Sequence, residues 1–325
     1  MNLWRAAADL ARGGRPGALA TVARVRGSTP VPAGTKMLVG GEGRLIGTVG
    51  GGCVEADVIG VALDAQRRCL PSLVTHHLNA DLAGDLGLSC GGTVEIFVEP
   101  LLADPRYVEV LEAAAAAEAG IVTTATEWAD GPVKTYAAAS PEQAAGPTAT
   151  LSRDRRQMIE RLVPAPRVIV FGAGHVGAAI ARAADAAGFR VVLVDDRPEF
   201  ADPRRFSGRT IVAASDLDDA LGRFPINAAD AVVIATRGHR HDAVILERVA
   251  NSPASYVGLL GSRRKKEVVI KGLTQAGVPR AALERVRVPV GLAIGAVTPE
   301  EIAVSVVAEL IAWRREEGGR GKREG

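Results

Sequence analysis

Arg167–Asp196, RVIVFGAGHVGAAIARAADAAGFRVVLVDD, decides the fold of the second half of this chain. Val168 to Phe171 is an unbroken apolar, β-branched run, the pattern of a strand buried on both faces of a parallel sheet. Gly172-Ala173-Gly174-His175-Val176-Gly177 follows as a G-x-G-x-x-G loop. Ala178 to Ala187 is rich in alanine with apolar residues at helical spacing, and Gly188 suits its C-cap. Val191 to Val194 is a second buried strand that closes on Asp195-Asp196. Each glycine has a physical role in such a unit. Gly172 permits the tight turn, Gly174 lets backbone approach a pyrophosphate, and Gly177 lets the helix lie against the strand. The helix start offers unpaired N–H groups and a positive dipole to phosphate. Asp195 stands where an acid accepts ribose hydroxyls, which favours NAD, or another nucleotide with free hydroxyls, over NADP. The rival reading keeps the βαβ scaffold for its shape alone.

Further strands are expected at Thr210–Ala213, Ala231–Ala235 and Tyr256–Leu260. The second ends in Thr236-Arg237-Gly238-His239-Arg240-His241-Asp242, the third in Gly261-Ser262-Arg263-Arg264-Lys265-Lys266. In a doubly wound sheet such strand ends share one crevice. His175, Arg237, His239, Gly261, Ser262 and Arg263 are therefore candidate binding residues, with a solvated helix face as the plain alternative for the basic run. The last helix opens with Thr298-Pro299-Glu300-Glu301, a capping box with proline in the first helical position. Its stripe is Ile302, Val306, Leu310 and Trp313, and residues 318–325 read as a disordered tail.

The first half follows other rules. A short helix, MNLWRAAADLARGG, precedes strands at Ala18–Arg26, Lys36–Val39 and Leu45–Val49. The third runs into Gly50-Gly51-Gly52-Cys53-Val54-Glu55, from which a helical pattern continues to about Arg68. Three successive glycines weaken strand and helix by about 1 kcal/mol each relative to alanine. A need for backbone access, or a tight turn with a small thiol, accounts for them. Cys53 falls near a helix start, a setting that favours thiolate. Leu88-Ser89-Cys90-Gly91-Gly92 is a second glycine turn that carries a thiol, followed by a strand at Thr93–Val98. A free cysteine there is equally a small buried hydrophobe. The segment 151–165 reads as a linker, so the expected domains are 1–150 and 166–317.

Composition narrows the function. The chain has 325 residues and a formal charge of +2, and aromatic residues make up 4%. Near-neutral charge and scarce aromatics argue against a nucleic-acid partner. No apolar run spans a bilayer, and the N-terminus lacks a signal-peptide core, so a cytoplasmic protein is expected. The three cysteines, Cys53, Cys69 and Cys90, are too few and odd in number for a disulfide framework. No Cys-x-x-Cys pair exists, so these cysteines and His76-His77 do not read as a zinc site. No G-x-S-x-G elbow marks a serine hydrolase.

The pieces GSTPVPAGTKM, GTVGGGCVE and LSCGG, with VIVFGAGHVG, VVLVDDRPEF, ATRGHRHD, GLLGSRRK and VGLAIGAVTPEEIAVSVVAELI, resemble the XdhC/CoxI family over nearly the whole chain. The resemblance implies an α/β protein: a mixed α/β XdhC/CoxI-type domain followed by a Rossmann-like doubly wound parallel sheet. It implies an accessory protein of molybdenum hydroxylases. Such a protein binds the molybdenum cofactor (molybdopterin), supports its sulfuration with a cysteine desulfurase, and delivers it to a xanthine oxidase-family enzyme without turnover of its own. Cys53 and Cys90 would handle molybdenum or sulfur, Gly50, Gly51 and Gly52 the cofactor's phosphate. Glu55 would fix the loop or a pterin amine, and Lys36 would contact an anionic group. Val31 and Ser89 stand where many members carry arginine and cysteine; the GGGCVE and LSCGG forms resemble the carbon monoxide dehydrogenase-type branch. A homodimer is expected. Two rival functions are an NAD(P)-dependent oxidoreductase using Arg237 and His239, and a nucleotide-sensing regulatory module. The first half offers the oxidoreductase no acid–base set.

Overall fold

The computed structural model describes residues 2–41, 43–78, 91–140, 143–144, 146–207 and 210–319, without the side chains of 239, 240, 263 and 316–319. Cys90, Ser89 and the tail beyond 319 therefore lie outside the described residues. The chain divides into two compact units, Met1–Pro164 and Ala165–Gly325.

The first unit begins with α1 (Leu3–Arg12), whose start is capped by the Asn2 side chain accepting from the Trp4 and Arg5 N–H groups. Strands β1 (Gly17–Arg26), β2 (Lys36–Gly40) and β3 (Leu45–Gly47) lead to helix α2 (Gly52–Arg68), then β4 (Ser72–His77) and β5 (Thr93–Pro100). These strands form an antiparallel sheet in the order β3-β2-β1-β5-β4. Period-two alternation splits β1 between two cores. Ala18, Ala20 and Val22 face α2 through Val54, Val58, Ala62 and Ala65. Leu19 faces Trp4, Tyr107 and Leu111, from α1 and α3 (Pro105–Ala116).

Strands β6 (Gly120–Ala125), β7 (Lys134–Ala138), β8 (Ala149–Leu151) and β9 (Gln157–Leu162) make a second antiparallel sheet, β7-β6-β9-β8. Strand β9 thus occupies the middle of the segment expected as a linker over 151–165. β9 pairs with β6 from Gly120↔Leu162 to Ala125↔Gln157. Its inward pair is Met158 and Glu160, both buried. A carboxylate on the inward face breaks the apolar alternation by which a strand is recognised. The charged run Arg153-Asp154-Arg155-Arg156 is the turn between β8 and β9, with Arg155 at φ 61.

In the second unit β10 (Arg167–Phe171), α4 (His175–Ala186) and β11 (Arg190–Asp195) form the βαβ core. There follow β12 (Ile211–Ala214), α5 (Leu217–Arg223), β13 (Asp230–Ile234), α6 (His239–Ala250), β14 (Tyr256–Leu259), α7 (Arg263–Gln275), α8 (Arg280–Glu284) and α9 (Pro299–Gly319). The sheet is parallel throughout, in the order β12-β11-β10-β13-β14. This is the Rossmann order, which reverses beside β10 and opens a crevice at the strand C-termini. One face carries Ile169, Val192 and Val232 against α6 and α7, the other Val168, Leu193 and Val233 against α4 and α9. The capping box forms, with Glu301 N–H donating to Thr298 Oγ1 (3.2 Å) and Thr298 N–H donating to Glu301 Oε2 (3.0 Å). Among the described residues no helix is long and apolar enough to cross a membrane.

Candidate functional site

Two glycine turns join a strand to a helix, one in each unit. In the first, Gly50, Gly51 and Gly52 all have positive φ, 134°, 75° and 60°. Gly51 is the N-cap of α2 and no side chain caps the helix. Thr48 braces the turn from below: its hydroxyl donates to Glu55 Oε2 (2.6 Å) and accepts from the Gly50 N–H (3.2 Å). Glu55 is thus tied to the strand end that leads into the turn. Cys53, in the first turn of α2, is exposed. A Cβ on Gly51 would meet nothing within 4 Å.

The other two motifs of the first unit converge here. A Cβ on Gly50 would contact Pro30 Cγ at 3.4 Å. Ser28 forms a bridge with Gly91, and a Cβ on Gly92 would lie 2.1 Å from the Ser28 carbonyl oxygen. The glycines that follow Cys90 are thus held against the loop that leads from β1, which in turn abuts the Gly50–Gly52 turn. Cys69 lies at the far end of α2, as its C-cap. At 1.5 Å per residue it is about 24 Å from Cys53.

The Lys36 ammonium is engaged by the protein's own groups. The side chain is nearly covered in the first unit, where its Nζ pairs with Glu160, donates to Thr21 Oγ1 (2.8 Å) and stands 4.5 Å from the Trp4 ring. Burial pushes its ammonium below the ordinary lysine value, against the opposing pull of Glu160. Lys134 and Glu99, whose side chains are wholly buried, form a second pair in this interior. These four charges lie far apart in sequence and no local pattern pairs them.

In the second unit Gly172 and Gly177 are required by packing. A Cβ on Gly177 would lie 1.8 Å from the Gly172 carbonyl oxygen, and one on Gly172 2.4 Å from that of Ala235. A Cβ on Gly174 would meet nothing within 4 Å, and His175, the first residue of α4, is exposed. Asp195 is buried at the end of β11. Its Oδ1 accepts from the Arg197 N–H (3.0 Å) and Nε (2.8 Å), its Oδ2 from the Ala173 N–H (2.7 Å) and Arg197 Nη2 (2.9 Å). Burial alone would raise its carboxyl pKa; the hydrogen bonds from Arg197 and Ala173 outweigh it and hold the group below the ordinary carboxylate value. The expected ribose acceptor is therefore occupied, because these four donors fill its lone-pair positions. The next acid, Asp196, is exposed and accepts from Arg237 Nη2 at 3.1 Å.

These groups edge a cavity of about 290 Å³ at the strand C-termini, lined by Gly172, Val194, Asp195, Asp196, Arg197, Ser215, Asp216, Leu217, Arg237, His241, Val244 and Ile245 among others. At its edge, Thr236 Oγ1 donates to Asp242 Oδ1 (2.6 Å), and Lys265, whose Nζ donates to the Leu260 carbonyl (2.7 Å), pairs with buried Asp242. The sequence marks Lys265 only as part of a basic run and gives no sign of its pairing with Asp242. Ser262 caps α7, accepting from the Lys265 N–H at 3.2 Å, and a Cβ on Gly261 would press on the Lys265 side chain. Those two residues thus shape the turn that seats Lys265. The side chains of His239 and Arg263 lie outside the described residues. Among the described residues no cluster of His, Cys, Asp and Glu is arranged to hold a metal ion.

Comparison with known proteins agrees with this architecture. Residues 168–310 match the XdhC Rossmann domain, and residues 10–76 match the XdhC and CoxI family. A probable xanthine dehydrogenase subunit from Bacillus subtilis (strain 168) is 30% identical, covering 91% of this chain and 93% of its own length. The molybdenum cofactor insertion chaperone PaoD of Escherichia coli (strain K12) is 24% identical, over 96% of this chain and 88% of its own. A crystal structure of a xanthine dehydrogenase from Bacillus halodurans superposes with a TM-score of 0.77 at 27% identity, covering 97% of this chain and 96% of that one. The chain belongs to the XdhC and CoxI family.

Proposed function

We propose that this member of the XdhC and CoxI family is an accessory protein that binds the molybdenum cofactor, supports its sulfuration and delivers it to a xanthine oxidase-family molybdenum hydroxylase. The observation that carries the reading is an exposed Cys53 on an uncapped helix start, with open space over Gly51. Family membership and the likeness to a molybdenum cofactor insertion chaperone point the same way.

The residues present fit such a cargo. A thiolate is a soft ligand suited to molybdenum or to a transferable sulfur. The N–H groups of an uncapped first turn suit the cargo's phosphate. Thr48 and Glu55 hold the turn so that these groups are in place before the cargo arrives, which lowers the ordering cost of binding. A cysteine desulfurase would supply the sulfur, and an open, surface-lying thiol is reachable by both donor and client. The protein would act in the cytoplasm as a homodimer, with Cys90 as a second thiol.

The test is anaerobic purification of the full chain, followed by oxidation and pterin fluorescence. Cys53→Ser and Cys90→Ser should each lower retained pterin, while Cys69→Ser should not. Wild-type retention in both of the first two variants rejects the thiol role. Absence of pterin from the wild-type chain, together with no gain in activity of a molybdenum hydroxylase on mixing, rejects the cargo reading itself.

A further inference from the structure

The charged run Arg153-Asp154-Arg155-Arg156 has no part in the cargo reading, yet the fold fixes one of its members closely. Arg155 is held in the left-handed region at φ 61°, which a bulky L-residue adopts only under constraint. Its N–H donates to the Ser152 carbonyl (3.0 Å), and its own carbonyl accepts from Thr126 Oγ1 (2.7 Å). Glycine would fill that turn with less strain. What arginine adds is its side chain, whose Nη2 reaches Glu95 Oε1 on β5 (2.8 Å). The other oxygen of Glu95 accepts from Arg24 Nη1 on β1 (3.1 Å). One carboxylate, its side chain only 10% exposed, thus holds two guanidinium groups.

Strand register sets further donors beside that pair. Arg24, Glu95 and Thr75 are partners across β1, β5 and β4, and two residues further along so are Arg26, Thr93 and His77. Period-two alternation turns both rows to one face of the sheet, about 7 Å apart. Val25 and Val94, between the rows, turn to the opposite face and the core under α2. Arg26 and His77 are exposed. His77 Nδ1 lies 3.3 Å from Thr93 Oγ1, and the Arg26 guanidinium has no carboxylate partner among the described residues. The Ser28–Gly91 bridge lies just beyond the second row.

The charge on this face does not balance. Three guanidinium groups, of Arg24, Arg26 and Arg155, stand against the single carboxylate of Glu95, which leaves +2. The turn adds Arg153 and Arg156 against Asp154, whose Oδ1 accepts from Ser152 Oγ (2.6 Å) and the Arg156 N–H (3.1 Å). A phosphate group carries about −1.5 to −2 at neutral pH and offers several acceptor oxygens, the anion that arginine forks match. A lone carboxylate would cancel only half of the excess. We propose that this face is an oxyanion site that binds a phosphate group, with Arg26 and Arg155 as its arms and His77 as a third donor. Glu95 and Arg24 are positioning residues. The ligand class is phosphate, free or carried as a monoester. The site lies on the opposite face of the sheet from α2 and is independent of the molybdenum reading.

Calorimetric titration of the full chain with inorganic phosphate, at an ionic strength held constant with chloride, tests it. Wild-type binding should saturate. Arg26→Ala and Arg155→Gly should each weaken it about tenfold, the loss of one charged hydrogen bond. Arg155→Gly suits the turn and relieves its backbone, so its melting temperature should not fall. Arg248→Ala, on α6 of the second unit, should bind phosphate as the wild type does. A second titration with glycerol phosphate separates the sources: tighter binding assigns the site to a monoester, equal or weaker binding to free phosphate. Failure of both to saturate at millimolar concentration overturns the proposal, as does wild-type affinity in Arg26→Ala or Arg155→Gly. Binding of an aspartate-rich peptide in place of phosphate also overturns it, and makes the face a dock for an acidic protein segment.

Discussion

At Gly177 an added Cβ would lie 1.8 Å from a backbone carbonyl oxygen; at Gly51 it would meet nothing within 4 Å. Both residues belong to a strand–glycine–helix turn, and both turns leave the helix start without a side-chain cap. The difference is the demand that each glycine answers. In the second unit the backbone must pass close to the sheet, so the side chain is excluded by volume. In the first the space is open and the conformation excludes it, since φ 75° with ψ 177° is reached essentially by glycine alone. A glycine that packing requires supports a scaffold, whereas a glycine in open space leaves room for something to approach.

Substitutions can break this distinction. Gly177→Ala forces atoms apart in a close-packed turn and should cost about 3 kcal/mol. In a unit of this size that is a fall of about 6–12 °C in the melting transition, read by calorimetry; a fall below about 2 °C would show that the turn is soft. Gly51→Ala should cost less, about 1–3 kcal/mol of backbone strain. Equal losses at Gly51 and Gly177 would remove the contrast between the two turns.

Acid sharpens the second unit's side of the comparison. The Asp195 carboxyl is held below its ordinary value when folded. Its contribution is therefore complete above the unfolded value of about 3.9 and is lost as pH falls toward and through the lower folded value. Melting temperature should drop over that acid window. Asp195→Asn should flatten the drop at the expense of stability at neutral pH, and an unchanged acid profile would refute the anchoring role. The smallest stability effect is expected at Cys53→Ser. An exposed side chain with no packing role should shift stability by less than about 0.5 kcal/mol, even as retained pterin falls. A large drop in melting temperature would make Cys53 part of the fold instead.

How far the sequence could be read follows from how local each signal was. The β10–α4–β11 unit was legible because each of its cues lies within about thirty residues: an apolar run, a glycine spacing, an alanine-rich helix. The capping box at Thr298 spans one turn and was equally plain. The Lys36 pairing was not legible because its partner Glu160 lies 124 positions away. β9 was missed for the same cause, since its inward glutamate is intelligible only beside that lysine. That Asp195 is held by the protein itself turned on a hydrogen bond from Ala173, 22 positions upstream, and on the reach of the Arg197 side chain.

By itself, then, the sequence determined the class of fold and the two turns where backbone lies open, because backbone conformation and strand or helix periodicity are set by neighbours along the chain. The tertiary structure alone decided which charged groups are spent inside. Burial makes an unpaired charge costly, so each buried ion must find a partner wherever the fold brings one. Lys36, Lys134 and Asp195 found theirs, and Cys53 and Asp196 were left exposed.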